Sequence, residues 1–205
     1  MRLPERVVLA TNNPKKLAEL RRMLDAGGVG VEVLGLADLA RYPEPEETER
    51  TFEGNAFLKA TAAARETGLV AVADDSGLEV DELNGMPGVR SARWAGPACD
   101  DEDNNALLLA QLDGVPAERR TARFVCAMAL VTPDGAEELV RGVMEGRLVL
   151  EPRGANGFGY DPIFVADGND VTNAELTPED KDAISHRGQA VRAMVPVLRK
   201  HLVKP

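Results

Sequence analysis

The stretch Val70-Ala71-Val72-Ala73-Asp74-Asp75-Ser76-Gly77 constrains the chain more than any other. Small and β-branched apolar residues in a row read as a buried strand. The run then meets two acids, a hydroxyl and a glycine. Unpaired buried carboxylates are costly, so the pair belongs at the carboxyl end of the strand, facing a cleft, a cation or a metal. Ligands of open α/β sheets collect at that end. Gly77 is expected to turn the backbone sharply there. Asp75 is therefore a candidate to hold a divalent metal and help activate a water, with Asp74 beside it. Two solvated acids in a surface turn is the other reading of the same residues.

The rest of the chain sets bounds on both readings. Its 205 residues fit one domain, or one domain of two lobes, and suffice for a full core. A net charge of −10 argues against a dedicated nucleic-acid coat but leaves room for a local cationic site. Cys99 and Cys126 match neither a metal-ligand spacing nor a disulfide framework. A strand is expected by Val7, so no signal peptide's apolar region is expected ahead of it, and no apolar run has membrane-spanning length. A soluble cytoplasmic protein is expected, with no membrane and no nucleic-acid polymer as partner.

Arg6 to Thr11 reads as a short buried strand, and Leu17, Leu20, Met23 and Leu24 recur at helical spacing behind it. Asn13 suits the N-cap and Pro14 the first helical position. Such a strand-turn-helix presents free N–H groups and a partial positive charge to an anion. Lys15 and Lys16 stand in the first turn, where the helix dipole disfavours cations. They make sense against a phosphate, or as a solvated pair. This is not a Walker loop, since its glycines and Lys-Ser/Thr pair are missing. A second short strand is expected at Val31–Leu34, followed by a Pro-rich acidic loop from Tyr42 to Glu49 that is either solvated or a source of an oxygen ligand. An alanine-rich helix is expected over Thr51–Arg65, stopped by Gly68. Its Lys59 falls on a mostly apolar face, either to snorkel or to point into a cleft.

Downstream, an acid-capped helix is expected over Asp100–Leu112, and a long β-rich run over Thr121–Val131. The turn Pro133-Asp134-Gly135 returns it as a hairpin through Glu138–Val149, an antiparallel part of the sheet. Gly154 to Phe164 sets glycines around Phe158 and Tyr160. Glycines allow close backbone approach to a ligand, and a held aromatic offers a base a stacking face; aromatics packed into the core is the alternative. Thr177 and Pro178 start one helix, and Ser185 caps the last, placing His186 and Arg187 where anions are favoured.

Taken together and in order, Val8–Lys16, Thr51–Ala56, Ala73–Leu78, Gly85–Val89, Gly157–Pro162 and Ser185–Gly188 resemble the inosine/xanthosine triphosphate pyrophosphatase family over nearly the whole chain. The resemblance implies an α/β fold of two lobes, residues 1–205 forming one such domain. A long mixed central sheet is flanked by helices, with the active site in the cleft between the lobes. It implies a homodimer and Mg²⁺-dependent hydrolysis of ITP, dITP and XTP to the monophosphate and pyrophosphate. Thr11, Asn12, Asn13, Pro14, Lys15 and Lys16 would hold the triphosphate. The family pattern there is Ser/Thr-Gly-Asn-x-Gly-Lys; this chain keeps Thr11, Asn13 and Lys16 and carries Asn12 and Lys15 at the glycine positions. Glu47 matches a metal ligand, Asp75 a metal ligand and catalytic base, and Ser76 a substrate contact. Phe158, Gly159, Tyr160, Asp161, Lys181, His186 and Arg187 match the nucleobase pocket, with Lys59 and Asp74 as supporting members. A pyrophosphatase for modified pyrimidine nucleotides, as in the septum-inhibitor-like proteins, and a nucleotide-binding regulator without turnover are the competing readings.

Overall fold

The computed structural model describes residues 6–12, 14, 17–18, 21–22, 31–39 and 45–202. Asn13, Lys15, Lys16, Leu20, Met23 and Leu24, and the acidic loop before Pro45, lie outside the described residues. Pro14, Leu17, Ala18, Arg21 and Arg22 are helical, as the spacing predicts.

Seven strands form one mixed sheet: β1 (Arg6–Leu9), β2 (Glu32–Gly35), β3 (Val70–Val80), β4 (Met86–Pro87), β5 (Thr121–Val131), β6 (Glu137–Leu148) and β7 (Phe164–Ala166). Their order is β2-β1-β3-β5-β6-β7, with β4 on β3. β1 runs parallel to β2 and to β3, whereas β4 and β7 run antiparallel to β3 and β6. β5 and β6 close as the expected hairpin. Thr132 N–H donates to Ala136 C=O at the turn, and Leu148 N–H to Arg120 C=O at the open end. Besides the helical residues from Pro14 to Arg22, the α-helices among the described residues are α1 (Phe52–Thr67), α2 (Asp101–Gln111), α3 (Pro178–Ile184) and α4 (His186–Leu202). Thr51, Asp100 and Thr177 each cap the following helix by accepting a backbone N–H, and Gly68 ends α1 in the left-handed conformation.

Contacts divide the described residues into two compact units. One holds the residues up to Asp75, Cys126–Gly142 and those from Gly188; the other holds Ser76–Val125 and Val143–Arg187. In the first, strand alternation feeds two separate cores. Val7, Leu9, Val72, Cys126, Met128 and Leu130 pack on Val191, Met194 and Leu198 of α4. Val8, Ala10, Ala71, Ala73, Ala129 and Val131 pack on Ala56, Ala60, Ala63 and Ala64 of α1. This second core is built from small side chains, which lets α1 lie close to the sheet. The second unit has one core, in which Leu78, Val80, Leu108, Leu112, Phe124, Met144, Leu148 and Phe164 meet.

The structure corrects the reading of Gly77. β3 does not end at the acids but continues through them to Val80, and Gly77 makes no turn. Its lack of a side chain serves a close approach instead. A Cβ there would collide with Ser91 Oγ and lie 2.6 Å from the Gly88 carbonyl. Ser91 Oγ accepts from Leu78 N–H at 2.8 Å and donates to Gly88 C=O at 2.7 Å, so the hydroxyl splices a tight 3-10 segment (Gly88–Arg93) onto the strand. Gly77→Ala should therefore cost about 1–3 kcal/mol through overpacking and loss of the Ser91 bonds. Urea unfolding reads this directly; an unchanged midpoint would mean that the segment yields freely.

Candidate active site

The first cluster grows from the face that α1 shares with β3. Ala71 and Ala73 point at the alanines of α1, so strand alternation brings Asp75 to the same face and sends Asp74 to the other. On the helix, Asn55 and Lys59 are one turn apart and reach Asp75 together. Asn55 Nδ2 donates to Asp75 Oδ2 at 2.9 Å. Lys59 Nζ lies 3.8 Å from Asp75 Oδ1 and donates to Glu47 Oε1 at 2.8 Å. Asn55 is fully buried and its Oδ1 accepts from Glu49 N–H at 3.0 Å, tying the loop that carries Glu47 to the helix. Gly54 gives that loop room, since a Cβ there would stand 2.7 Å from Glu49 Cβ. The stretch from Thr51 to Asn55 is thus a cap, a clearance and a strut in succession.

Lys59 does not snorkel; it is only 5% exposed. Burial presses its pKa down, but Asp75, Asp74 and Glu47 outweigh burial and hold it above the usual lysine value. It remains a cation throughout the neutral range. Among the described residues no group of three or more His, Cys, Asp or Glu forms a metal cage. Glu47 and Asp75 are nevertheless hard-oxygen donors around one cation. Mg²⁺ takes one or two protein carboxylates and fills its remaining positions with water and phosphate oxygens. The donor set fits that ion.

The second cluster is built on the glycine-rich loop. Asp161, 2% exposed, is its hub. Asp161 Oδ2 accepts from Phe158 N–H at 2.9 Å and from Lys181 Nζ at 2.5 Å, and Oδ1 accepts from Asn173 Nδ2 at 3.2 Å. Gly157 has φ +77°, and a Cβ there would collide with the Asp161 carboxylate, so only glycine fits. The half-buried Phe158 ring carries Lys181 Nζ at 5.0 Å and Arg187 Cζ at 5.8 Å from its centroid, within cation–π range. Arg187 Nη2 donates to Ser76 Oγ at 3.1 Å. The His186 ring stacks on Phe124, with centroids 4.9 Å apart and planes 11° apart.

The two aromatics of this loop part company. Tyr160 is a core residue whose hydroxyl donates to Ser91 C=O at 2.8 Å, and burial raises its pKa well above the ordinary tyrosine range. Its ring is not a stacking face, because the core already covers it. Phe158 is half-buried, so the core does not cover its ring in the same way. Asp161 and Gly159 are tied into the protein's own hydrogen bonds. The carboxylate holds the loop together, and Gly159 N–H donates to Asp101 Oδ2 at 2.8 Å. Of the other expected residues, Thr11 follows β1, with its N–H on Leu9 C=O, while Asn12 and Pro14 are exposed. Asp101, Asn105 and Asn173, which hold the glycine-rich loop, carry no local mark in the sequence. Asn55 alone carried a usable signal, a polar residue one turn before Lys59 on a face of alanines.

The Ham1 family profile matches residues 7–197. The chain belongs to the Ham1 family. A Cutibacterium acnes protein named dITP/XTP pyrophosphatase is 61% identical over 199 residues, spanning 96% of this chain and 98% of its own. One of the same name from Frankia alni is 60% identical over 202 residues, spanning 96% and 98%. Among solved structures, the Mycobacterium abscessus nucleoside-triphosphatase/dITP/XTP pyrophosphatase is 56% identical with a TM-score of 0.79, covering 93% of this chain and 99% of its own. A HAM1 protein from Coxiella burnetii is 42% identical with a TM-score of 0.88, covering 96% and 99%. Ham1 membership bears out the resemblance to inosine/xanthosine triphosphate pyrophosphatases, and the mixed, helix-flanked sheet is the one that the resemblance implies.

Proposed function

We propose that this protein hydrolyses non-standard purine nucleoside triphosphates, namely dITP, ITP and XTP, to the monophosphate and pyrophosphate. The reading is carried by near-full-length identity to proteins named dITP/XTP pyrophosphatase. The two clusters supply matching chemistry.

Asp75 is the general base. A water oxygen bonds to the α-phosphorus, its proton passes to Asp75, and the bond to the bridging oxygen breaks to release pyrophosphate. Asn55 fixes one carboxylate oxygen of Asp75, and Lys59 lies beside the other, so the base is oriented before substrate arrives. Lys59 adds a buried positive charge where the leaving group gathers negative charge. Lys15 and Lys16 are assigned to the same phosphates. Glu47 and Asp75 would hold Mg²⁺, which when bound supplies charge neutralisation and a more acidic water.

Phe158 is the stacking face for the base. Arg187 and His186 supply donors for the 6-keto oxygen of hypoxanthine or xanthine; adenine, with an amino group there, would leave them unpaired. Selection falls to these side chains because the N–H groups of Phe158 and Gly159 are committed to carboxylates. No described helix is long and apolar enough to cross a membrane. A cytoplasmic homodimer completes the proposal.

Pyrophosphate release from dITP, XTP, GTP, ATP and dUTP, with and without Mg²⁺, tests it. Metal-dependent turnover led by dITP and XTP is expected. Turnover led by dUTP would favour the pyrimidine reading, and binding without turnover would favour a regulator.

A further inference from the structure

The backbone N–H and C=O groups of Phe158 and Gly159 are all held. Phe158 N–H donates to Asp161 Oδ2 at 2.9 Å, and Phe158 C=O accepts from Asp161 N–H at 3.3 Å. Gly159 N–H donates to Asp101 Oδ2 at 2.8 Å, and Gly159 C=O accepts from Asn105 Nδ2 at 2.9 Å. The last two contacts come from one helix, α2, 58 and 54 residues away in sequence. Asp101 and Asn105 are four residues apart, so they stand one above the other on one face of α2. One offers an acceptor and the other a donor, which are the two groups that a single residue's backbone needs.

The clamp is built at a cost. Asn105 is buried, and its Oδ1 has no hydrogen-bond partner among the described residues. An aliphatic side chain would avoid that orphan acceptor, so the amide is retained for its donor. α2 does not need the pair for its own start either. Asp100 is the N-cap, and Glu102 and Asp103 also place acidic charge in the first turn.

We propose that Asp101 and Asn105 are positioning residues for base recognition: by gripping the Gly159 backbone from α2 they fix the orientation of the Phe158 ring. The inference rests on the reading of Phe158 as the face on which the purine stacks. A base and a bare phosphate chain therefore respond differently when the clamp is broken. With either grip lost, Gly159 is held by one contact from α2 instead of two, the ring orientation is less tightly fixed, and base binding weakens in the ground state and the transition state alike.

Asp101→Ala, Asp101→Asn and Asn105→Ala test this through kcat and KM for dITP, inhibition by inorganic triphosphate, and thermal midpoint. Asp101→Ala and Asn105→Ala should raise KM roughly tenfold with kcat within about threefold of wild type, the pattern of lost uniform binding. Inhibition by inorganic triphosphate, which has no base, should not change. Asp101→Asn keeps an oxygen that accepts from Gly159 N–H and should restore KM. Exposed Asp101 carries the test even if Asn105→Ala folds poorly. An unchanged KM in Asp101→Ala overturns the inference, as does a parallel loss of triphosphate inhibition, or an Asp101→Asn variant as impaired as Asp101→Ala. Wild-type protein that turns over no dITP in the same assay overturns the functional reading itself, and the inference with it.

Discussion

With Asp75 as the proposed base, replacing it with Asn should lower kcat for dITP by about 10³-fold or more while leaving the protein folded, because proton removal from water and oriented charge would both be lost. The amide cannot take a proton from water at neutral pH. It can still accept from Asn55 Nδ2 through its own oxygen, so the strut between α1 and β3 has a partner in the variant. Lys59 keeps Glu47 at 2.8 Å. The thermal midpoint should consequently move little. Steady-state kinetics and a melting curve on the same preparation separate the two effects. A variant that keeps a tenth or more of the wild-type rate would remove Asp75 from the role of base.

Lys59→Met should have the opposite signature, a large loss of stability. Its ammonium is the shared cation of Glu47 and Asp75 and is almost fully buried. Deleting one partner of a buried ion pair costs about 3–5 kcal/mol because the remaining charge stays desolvated. Glu47 is part-exposed and recovers some hydration, so about 3 kcal/mol is the expected cost, or roughly 10 °C in midpoint for a chain of this size. Millimolar Mg²⁺ should raise the midpoint of Lys59→Met more than that of wild type, since the same carboxylates would receive a new cation. An Mg²⁺-independent midpoint in the variant would mean that Glu47 and Asp75 do not hold the ion together. A midpoint equal to wild type would mean that the ammonium does not stabilise the cluster.

Much of the fold was legible because local rules and tertiary packing agree along the chain. β5 occupies the predicted Thr121–Val131, and α1 begins after the cap that Thr51 supplies and ends at Gly68. Asp75 and Lys59 were readable as conspicuous charges in apolar surroundings. Gly77 misled because a glycine after two acids fits a turn and a close approach equally well; only Ser91, fourteen residues on, distinguishes them. Tyr160 and Phe158 look alike in sequence, yet the core takes one ring and leaves the other half-buried. The part that Asp161 plays in holding its loop shows only once its partners Lys181 and Asn173 are in place, since they lie 20 and 12 residues away in sequence. Asp101 and Asn105 carry no local mark, since an acidic first helical turn is ordinary, and their role depends on a loop more than fifty residues away.

Attack at the α-phosphorus is tested most directly by turnover of dITP in heavy-oxygen water. Mass spectrometry of the products should find one heavy oxygen in the deoxyinosine monophosphate and none in the pyrophosphate. Heavy oxygen in the pyrophosphate would place attack at the β-phosphorus, and release of single phosphates would make the protein a different kind of phosphohydrolase; either result would contradict the account.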